Sequence, residues 1–528
     1  MRSVAGVAVF ASLFATAAAA QRVAQSGNAP KLIVFIAVDQ MRADYFERFL
    51  PQLTGGLGRL YRGGAVFTNA YQDHAITETA PGHSVMLSGR FPAHTGIVTN
   101  SLGVPDARAP LIGGGGDGAS PFRFRGSVLI DWLRMNDPRS RALSVSRKDR
   151  GAILPIGRSH ESAFWYATDG RFTTSTYYAD TLPTWVQRFN ARKIPQSYAG
   201  KAWTLLLPES SYPEPDSVPF ENYRRNFVFP HVFSADPAQV AANFAAYPMM
   251  DSLTAQMALE GVSATGIGRG PQTDLLSVSF STTDAVGHAY GPDSRELHDQ
   301  IVRLDRYMGA FIDSLYKLRD SSTIAFALTA DHGVQPNPDV RAMNEHVAAM
   351  RADVGAPIAA ARAALRAAGA TGDPLRYEEG VVLLQRQSLA GTTLKADSVL
   401  NALAASLRKV SGVGRVDFVR DLARSDTTKD YVARRWLHML PSDFASDLVI
   451  SLAPYAYFTG DIVATHGTPN DLDAHVPEIF YGPWFITGKY TQRALVADIA
   501  PTLAAIAEVS PSEKLDGRAH TEAIRKPR

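Results

Sequence analysis

Three largely apolar stretches mark the chain, at residues 31–38, 274–280 and 323–329. Apolar runs without regularly spaced polar positions are typical of strands buried on both faces of a parallel sheet. A similar run at residues 447–452 predicts a fourth strand of this kind. The pattern therefore predicts a buried sheet at the centre of the protein.

A helical pattern separates the second run from the third. Between residues 295 and 318, apolar side chains recur at the helical spacing, at Leu297, Ile301, Leu304, Met308, Phe311, Ile312 and Leu315. A strand, a helix and a second strand in this order form a βαβ unit. We therefore expect an α/β fold with a doubly wound, mostly parallel central sheet flanked by helices.

Acidic residues follow each of the three predicted strands. Asp39, Asp284 and Asp331 each come after an apolar run, and His332 follows Asp331 directly. Ligands bind at the carboxyl ends of strands in open α/β sheets, so we expect these side chains to share one site. An adjacent Asp-His pair offers one oxygen and one nitrogen ligand, which suits a zinc ion.

Two regions interrupt the predicted core. Residues 101–245 are rich in Gly, Pro and aromatic residues, and residues 335–445 alternate helical and strand patterns. In the second region we predict helices at 347–368 and 396–410 and strands at 380–384 and 416–419. These elements predict a small α+β cap, inserted into one catalytic domain that spans residues 21–528.

The first twenty residues are typical of a secretory signal peptide. Arg2 precedes an apolar segment at residues 4–19, and three alanines at 18–20 fit a cleavage site. We predict export, to the periplasm or the medium of a bacterium. The alternative is an uncleaved anchor, but the run is short and no later stretch reaches about 18 apolar residues.

Composition narrows the candidate chemistry. The chain has 528 residues and a formal net charge of +2, which gives no electrostatic case for a nucleic-acid partner. It contains no cysteine. Cysteine nucleophiles and cysteine metal ligands are therefore excluded, and any zinc site must consist of histidines and carboxylates.

Thr79 lies where a helix is predicted to begin. Pro81 follows it and belongs in a first helical turn, so the Thr79 hydroxyl faces free backbone N–H groups and the positive end of a helix dipole. An isolated threonine in this position is more often a plain helix cap. A metal cluster beside it favours a nucleophile, because a metal converts a hydroxyl to an alkoxide.

These fragments together resemble a known family. The set comprises Asp39, Thr79-Ala-Pro-Gly-His83, Asn100, Asp284-x-x-x-His288, Asp331-His332-Gly333 and His466-Gly467. It is similar to the alkaline phosphatase superfamily, in its type I phosphodiesterase/nucleotide pyrophosphatase branch, and within that branch to exported bacterial alkaline phosphatases with a threonine nucleophile. The resemblance extends from about residue 31 to 520.

The resemblance implies two zinc ions per chain and a phosphothreonine intermediate. One ion would be held by Asp284, His288 and His466, and the other by Asp39, Asp331, His332 and the Thr79 oxygen. Oxygen and nitrogen ligands also accept other divalent metals. The expected function is hydrolysis of a broad range of small phosphate monoesters by a monomer or weak oligomer, with no stable membrane span.

The resemblance also implies three phosphate-binding side chains. Asn100, which on local context is a turn residue, would donate to a phosphoryl oxygen. Lys148 and Arg150, which alone predict a solvated loop, match a Lys-x-Arg pair of the monoesterases. A monoester carries two negative charges on its non-bridging oxygens and a diester carries one, so this pair favours a monoesterase.

Other interpretations stay open. A phosphodiesterase or nucleotide pyrophosphatase would use the same metals, and a non-catalytic envelope protein that binds metal or phosphate is a remote alternative. His475 competes with His466 as a ligand, and His83 is expected to order the helix after Thr79. A sulfatase is disfavoured, since sulfatases need Cys or Ser where this chain has Thr79.

Overall fold

A computed structural model describes residues 29–114, 116–460 and 463–526. The predicted signal peptide at 1–20 lies outside the described residues. The fold is α/β, as predicted, with one large, mostly parallel sheet and helices around it. Among the described residues, no helix is both long enough and apolar enough to cross a membrane.

The strands of the described chain are numbered in chain order. They are β1 Leu32–Val38, β2 Ala65–Tyr71, β3 Ala142–Ser146, β4 Ser162–Tyr166, β5 Phe172–Thr173, β6 Ala202–Trp203, β7 His231–Val232, β8 Asp274–Phe280, β9 Ile324–Thr329, β10 Met350–Ala352, β11 Leu375–Glu378, β12 Val381–Leu384, β13 Val413–Phe418, β14 Leu448–Leu452, β15 Ala456–Phe458, β16 His475–Tyr481, β17 Gly488–Tyr490 and β18 Ala494–Leu495.

The α-helices of the described chain are numbered in the same way. They are α1 Asp44–Phe49, α2 Gly56–Gly63, α3 Thr79–Met86, α4 Pro92–Thr95, α5 Leu129–Asn136, α6 Asp149–Ile153, α7 Thr184–Asn190, α8 Pro237–Asn243, α9 Met249–Thr265, α10 Thr282–Tyr290, α11 Arg295–Leu318, α12 Pro338–Glu345, α13 Gly355–Ala367, α14 Ala396–Leu407, α15 Tyr431–Met439, α16 Asp471–Ala474 and α17 Ile499–Ile506.

The central sheet has the strand order β17-β2-β16-β9-β1-β8-β3-β4-β5, with β18 beside β2. Its middle strands β9, β1, β8 and β3 run parallel to one another. In this register Val38 lies opposite Phe280, and Ser146 lies opposite Ser279. The carboxyl ends of four neighbouring strands therefore meet at one edge of the sheet.

Helix α11 covers one face of this sheet over the predicted range. The Ser294 hydroxyl accepts the N–H of Leu297, so the helix begins with a capped first turn. Its apolar side chains are buried in the core, and the helix packs against α2 and α9. The apolar side chains that recur at the helical spacing thus form the face of α11 that contacts the sheet.

A second, antiparallel sheet has four strands in the order β11-β12-β14-β13, and we call this sheet with its helices the cap. Its strand β14 lies beyond the predicted end of the cap at residue 445. Strand β14 forms from the predicted run at 447–452, but its assignment to the parallel sheet is wrong, since it pairs antiparallel with β12 and β13. An apolar run does not distinguish the two sheets, because both bury such strands. Helix α13 begins at Gly355, eight residues after the predicted start at 347, because Pro357 is tolerated only in a first turn.

A small apolar cluster joins the cap to the chain around the site. Ile76 and Val98 pack with Trp436 and Met439 of the cap, and all four side chains are buried. The Ile76 N–H also lies 3.3 Å from the Met439 sulfur. The segments that precede Thr79 and Asn100 are therefore seated against the cap.

Candidate active site

Four strand ends deliver the polar side chains of the site. Asp39 follows β1, Lys148 follows β3, Asp284 lies in the first turn of α10 after β8, and Asp331 follows β9. All four side chains are at least nine-tenths buried. The parallel register of the strands brings together residues that lie up to about 290 positions apart in sequence.

The buried carboxylates are short of hydrogen-bond donors. Neither oxygen of Asp39 has a well-aligned donor among the described residues, although Lys148 Nζ lies 2.6 Å from Asp39 Oδ2. Lys148 Nζ also lies 2.7 Å from Asp284 Oδ2. The Lys148 ammonium and the Arg147 guanidinium, which lies 3.7 Å from Asp284 Oδ2, face three buried carboxylates. The remaining negative charge of this edge fits additional cations.

The pKa directions reflect the same imbalance. Burial raises the pKa of Asp39, and the negative charges of Asp284 and Asp331 raise it further. Burial also acts to raise the pKa of Asp284, but Lys148 and His288 outweigh it and hold that pKa well below its ordinary value. The surroundings of Asp284 therefore favour its ionised form, whereas those of Asp39 oppose ionisation.

Three histidines direct Nε2 into the site, because Nδ1 of each ring faces a backbone carbonyl. Nδ1 of His288, His332 and His466 lies 2.8, 3.0 and 2.7 Å from the backbone oxygens of Ala464, Gly333 and Thr77. A carbonyl only accepts, so each Nδ1 carries a proton, and in the neutral form of each ring Nε2 keeps a lone pair. This arrangement is the one that orients metal-binding imidazoles in proteins.

The ligand atoms form two overlapping groups of metal-binding geometry. Asp39, Asp331 and His332 make one group, and Asp284, His332 and His466 make the other. His288 belongs with the second group as well, since its Nε2 lies 3.1 Å from Asp284 Oδ1 and 3.2 Å from His466 Nε2. His332 therefore lies between the two groups, and its ring stacks on His466 at 3.5 Å.

Thr79 is the first residue of helix α3 and is buried beside both groups. Its Oγ1 lies 3.1 Å from Lys148 Nζ and 3.5 Å from His332 Nε2. Gly82 has no side chain, so helix α3 can approach the residues that follow β9. A Cβ at Gly82 would lie 2.3 Å from the backbone oxygen of Asp331. The hydroxyl is thus held at the junction of a helix N-terminus, an ammonium and the candidate metal ligands.

His83 links this helix to the strand ends, in agreement with its expected ordering role. Its Nδ1 lies 3.0 Å from the Thr79 carbonyl oxygen and 3.1 Å from Asp331 Oδ2, and its Nε2 lies 3.0 Å from the Ser279 hydroxyl. His475 does not reach the ligand groups. It begins β16, and its Nε2 lies 3.0 Å from the Thr68 carbonyl oxygen.

Asn100 is oriented by the first turn of helix α3. Its side-chain oxygen accepts the Ala80 N–H at 2.9 Å, and its backbone N–H donates to Glu78 Oε2 at 2.7 Å. The side-chain NH₂ is then the group that can donate to a substrate oxygen. Glu78 carries no signal in the sequence, because an acidic residue before a helix is common at any surface.

Arg150 lies at the rim of the site, unlike Lys148. Its guanidinium is partly exposed and lies 3.6 Å from Asp149 Oδ1. Burial raises the pKa of Glu78, and the Asn100 N–H, His466 and the positive charge of Arg150 oppose that rise. The two predicted phosphate-binding cations thus occupy different depths, with Lys148 beside Thr79 and Arg150 further out.

Comparison with known proteins assigns the chain to a family. The sequence profile of type I phosphodiesterase / nucleotide pyrophosphatase matches residues 33–469. The chain belongs to this family.

Within the family, several relatives that match over nearly the full length are named alkaline phosphatases, and one of 29% identity from Myroides odoratus is named a calcium-transporting ATPase. Alkaline phosphatase PhoV of Synechococcus elongatus is 31% identical, over 94% of this chain and 93% of that protein. Alkaline phosphatase PafA of Elizabethkingia meningoseptica is 30% identical, over 95% and 96%. The crystal structure of wild-type PafA matches with a TM-score of 0.87 and 28% identity, and covers 94% of this chain and 99% of PafA.

Proposed function

We propose that this protein is a metal-dependent alkaline phosphatase that hydrolyses a broad range of phosphate monoesters through a covalent phosphothreonine at Thr79. The observation that carries the proposal is the position of the Thr79 hydroxyl, 3.1 Å from Lys148 Nζ and 3.5 Å from His332 Nε2. The full-length similarity to named alkaline phosphatases supports the same activity.

Two zinc ions per chain are the cofactors that the donor set fits best. Carboxylate oxygens and imidazole nitrogens are zinc ligands, and the chain has no cysteine to compete. We assign Asp284, His288 and His466 to one ion, and Asp39, Asp331, His332 and the Thr79 oxygen to the other. When bound, such ions supply Lewis-acid stabilisation of the phosphoryl oxygens and lower the pKa of a bound hydroxyl.

The side chains of the protein perform the remaining steps. Thr79 Oγ1 gives up its proton to solvent and forms a bond to phosphorus as the bond from phosphorus to the leaving oxygen breaks, and the leaving oxygen takes up a proton from solvent. Water then hydrolyses the phosphothreonine, which restores the Thr79 hydroxyl and releases phosphate. The positive end of helix α3 and the Lys148 ammonium stabilise the charge that develops on the phosphoryl oxygens. The Asn100 NH₂ donates to one of these oxygens.

Lys148 and Arg150 favour the monoester over the diester. A monoester brings one more negative charge to the site, and two fixed cations stabilise it more than they stabilise a diester. The alternative activity, as a phosphodiesterase or nucleotide pyrophosphatase, is supported by the family profile. In that case the same metals and Thr79 would act on a singly charged phosphoryl group.

We also propose that residues 1–20 direct export, to the periplasm or the medium, and that the mature protein acts as a monomer or weak oligomer on phosphorylated small molecules. A large cysteine-free core is compatible with an oxidising compartment. Mass spectrometry of the exported protein should find an N-terminus at Gln21. Retention of Met1 would contradict cleavage.

One assay tests the proposed activity and metals together. Purified protein is given p-nitrophenyl phosphate or bis-p-nitrophenyl phosphate, while its metal content is measured before and after chelation. We expect two zinc ions per chain, a higher kcat/KM for the monoester, and recovery of activity when zinc is restored. A higher kcat/KM for the diester would favour the phosphodiesterase, and zinc-loaded protein without turnover would favour a binding protein.

A further inference from the structure

Gln40 is a buried polar residue that sequence reasoning does not single out. It follows Asp39 at the end of β1, has no exposed surface and adopts a left-handed backbone with φ of 63°. A non-glycine residue in this region costs about 1 kcal/mol or more and persists only where the surrounding structure requires it. The conformation therefore indicates that the position of Gln40 matters.

Gln40 donates to a carboxylate of each candidate metal group. Its backbone N–H donates to Asp331 Oδ1 at 3.1 Å, and its side-chain Nε2 donates to Asp284 Oδ1 at 3.0 Å. Asp331 comes from β9 and Asp284 from helix α10, so one residue links two separate elements of the site. The left-handed backbone is what lets both donors face this edge of the sheet.

The side chain of Gln40 is also clamped from the other side. A Cβ placed on Gly287 would lie 1.7 Å from Gln40 Oε1, so the amide packs directly on the bare backbone of helix α10. Gly287 lies in the turn between Asp284 and His288. Oε1 is buried without a hydrogen-bond partner among the described residues, so packing rather than bonding holds that end.

We propose that Gln40 is a positioning residue that fixes Asp284 for its metal ion and ties that carboxylate to the Asp331 group. This inference rests on the proposed two-metal function. A carboxylate oxygen accepts along two directions, and a fixed donor on one of them orients the other toward the ion. An amide suits this position because a carboxylate would add a further negative charge to the three already buried there.

The test measures metal affinity rather than activity alone. Gln40→Met keeps the volume and the backbone N–H but removes the side-chain donor. We expect competition with a chromophoric chelator to show one zinc ion bound 10- to 100-fold more weakly, which is the effect typical of lost partners of metal ligands. The other ion keeps its affinity, because the bond to Asp331 comes from the backbone.

A second pair of variants tests the clamp, and one of them, Gly287→Ala, leaves the donor itself unchanged. Gly287→Ala should displace the Gln40 amide and weaken the same ion. Gln40→Asn, which tolerates the left-handed backbone but is too short to reach Asp284, should weaken it as well. In the double variant the shorter side chain leaves room for the new methyl group, so the loss should equal that of Gln40→Asn alone.

A matched control separates positioning from stability. Gln272 is another buried glutamine, and its Nε2 lies 3.3 and 3.4 Å from the two oxygens of Asp274. Asp274 begins β8, at the opposite edge of the sheet from the candidate metal ligands. Gln272→Met should lower the melting temperature but leave both zinc affinities within about twofold.

Three results would overturn the inference. The first is wild-type affinity for both zinc ions in Gln40→Met. The second is equal weakening of both ions in that variant. The third is a loss of affinity in the double variant that equals the product of the losses in the two single variants. If the wild-type protein bound no zinc, the proposed function would fail and this inference with it. If the wild-type protein bound two ions and Gln40→Met matched it, only the inference would fail.

Discussion

The central sheet and the cap contribute to the site in different ways. Four strand ends of the sheet carry Asp39, Lys148, Asp284 and Asp331, and each is buried. The cap approaches with the exposed tip of its β11–β12 hairpin, where Glu378 accepts the Ser101 hydroxyl beside Asn100. The sheet therefore supplies the candidate chemistry, and the cap contacts the loop that carries Asn100, a proposed substrate-binding residue.

The largest effect on activity should come from a change at Thr79, which lies beside the strand ends of the central sheet. Thr79→Ala removes the candidate nucleophile, so we expect kcat with p-nitrophenyl phosphate to fall at least about a thousandfold. Thr79→Ser, which keeps a hydroxyl, should retain measurable turnover. Full activity in Thr79→Ala, with zinc content unchanged, would refute the nucleophile.

The second-largest effect should be a change in the preference for monoester over diester substrates rather than a loss of all turnover. Lys148→Ala combined with Arg150→Ala should lower kcat/KM for the monoester about a hundredfold and for the diester less than tenfold, because only the monoester carries the extra charge. The two single variants show whether the buried lysine contributes more than the rim arginine. Equal losses on both substrates would contradict the charge argument.

A smaller effect is expected from the cap. Glu378→Gln weakens the contacts of its carboxylate with the Ser101 hydroxyl and with the Thr99 hydroxyl at 3.4 Å. Hydrogen bonds at exposed positions contribute about 1 kcal/mol or less, so we expect KM to rise roughly two- to fivefold with kcat nearly unchanged. Asp397→Asn, which alters an exposed cap carboxylate that pairs with Arg420, is the control. A loss of kcat as large as that of Thr79→Ala would remove the distinction between sheet and cap.

The smallest effect on activity should come from Glu478, a sheet residue whose side chain bonds His520 and is not part of the candidate ligand groups. Burial raises the pKa of Glu478 to about 7, and its hydrogen bond with His520 offsets this only in part. The folded protein thus binds the proton more tightly than the unfolded chain, so the free energy of unfolding should fall as pH rises from about 4.5 to 7.

Glu478→Gln removes the titrating group. Urea unfolding at several pH values should show a decline over this range that is about 2–3 kcal/mol larger in the wild type than in the variant. Parallel profiles would show that Glu478 does not titrate there. Activity at pH 8 should be the same for both proteins.

The sequence predicts the parts of the site that follow recognisable strands. Asp39, Asp284 and Asp331 stand after apolar runs, and the histidines at 288, 332 and 466 stand at characteristic spacings from acids or glycine. Gln40 and Glu78 are missed, because a single glutamine or glutamate has no pattern of its own. Their roles depend on contacts between residues distant in sequence.

The cap was harder to predict than the sheet for a related reason. The run that forms β14 is as apolar as the central strands, and only its pairing partners assign it to the smaller sheet. Periodicity reports which faces are buried, whereas strand pairing is decided by the whole fold. The sequence likewise does not show that Lys148 is buried while Arg150 lies at the rim, because the burial of each side chain is decided by the whole fold.

Trapping the covalent intermediate tests the central claim most directly. Zinc-loaded protein is mixed with a ³²P-labelled monoester, quenched in acid within milliseconds, and digested for peptide mapping. We predict label on the peptide that contains Thr79, and no label in Thr79→Ala or in chelated protein. Steady turnover without labelled protein, or label on another residue, would contradict the account.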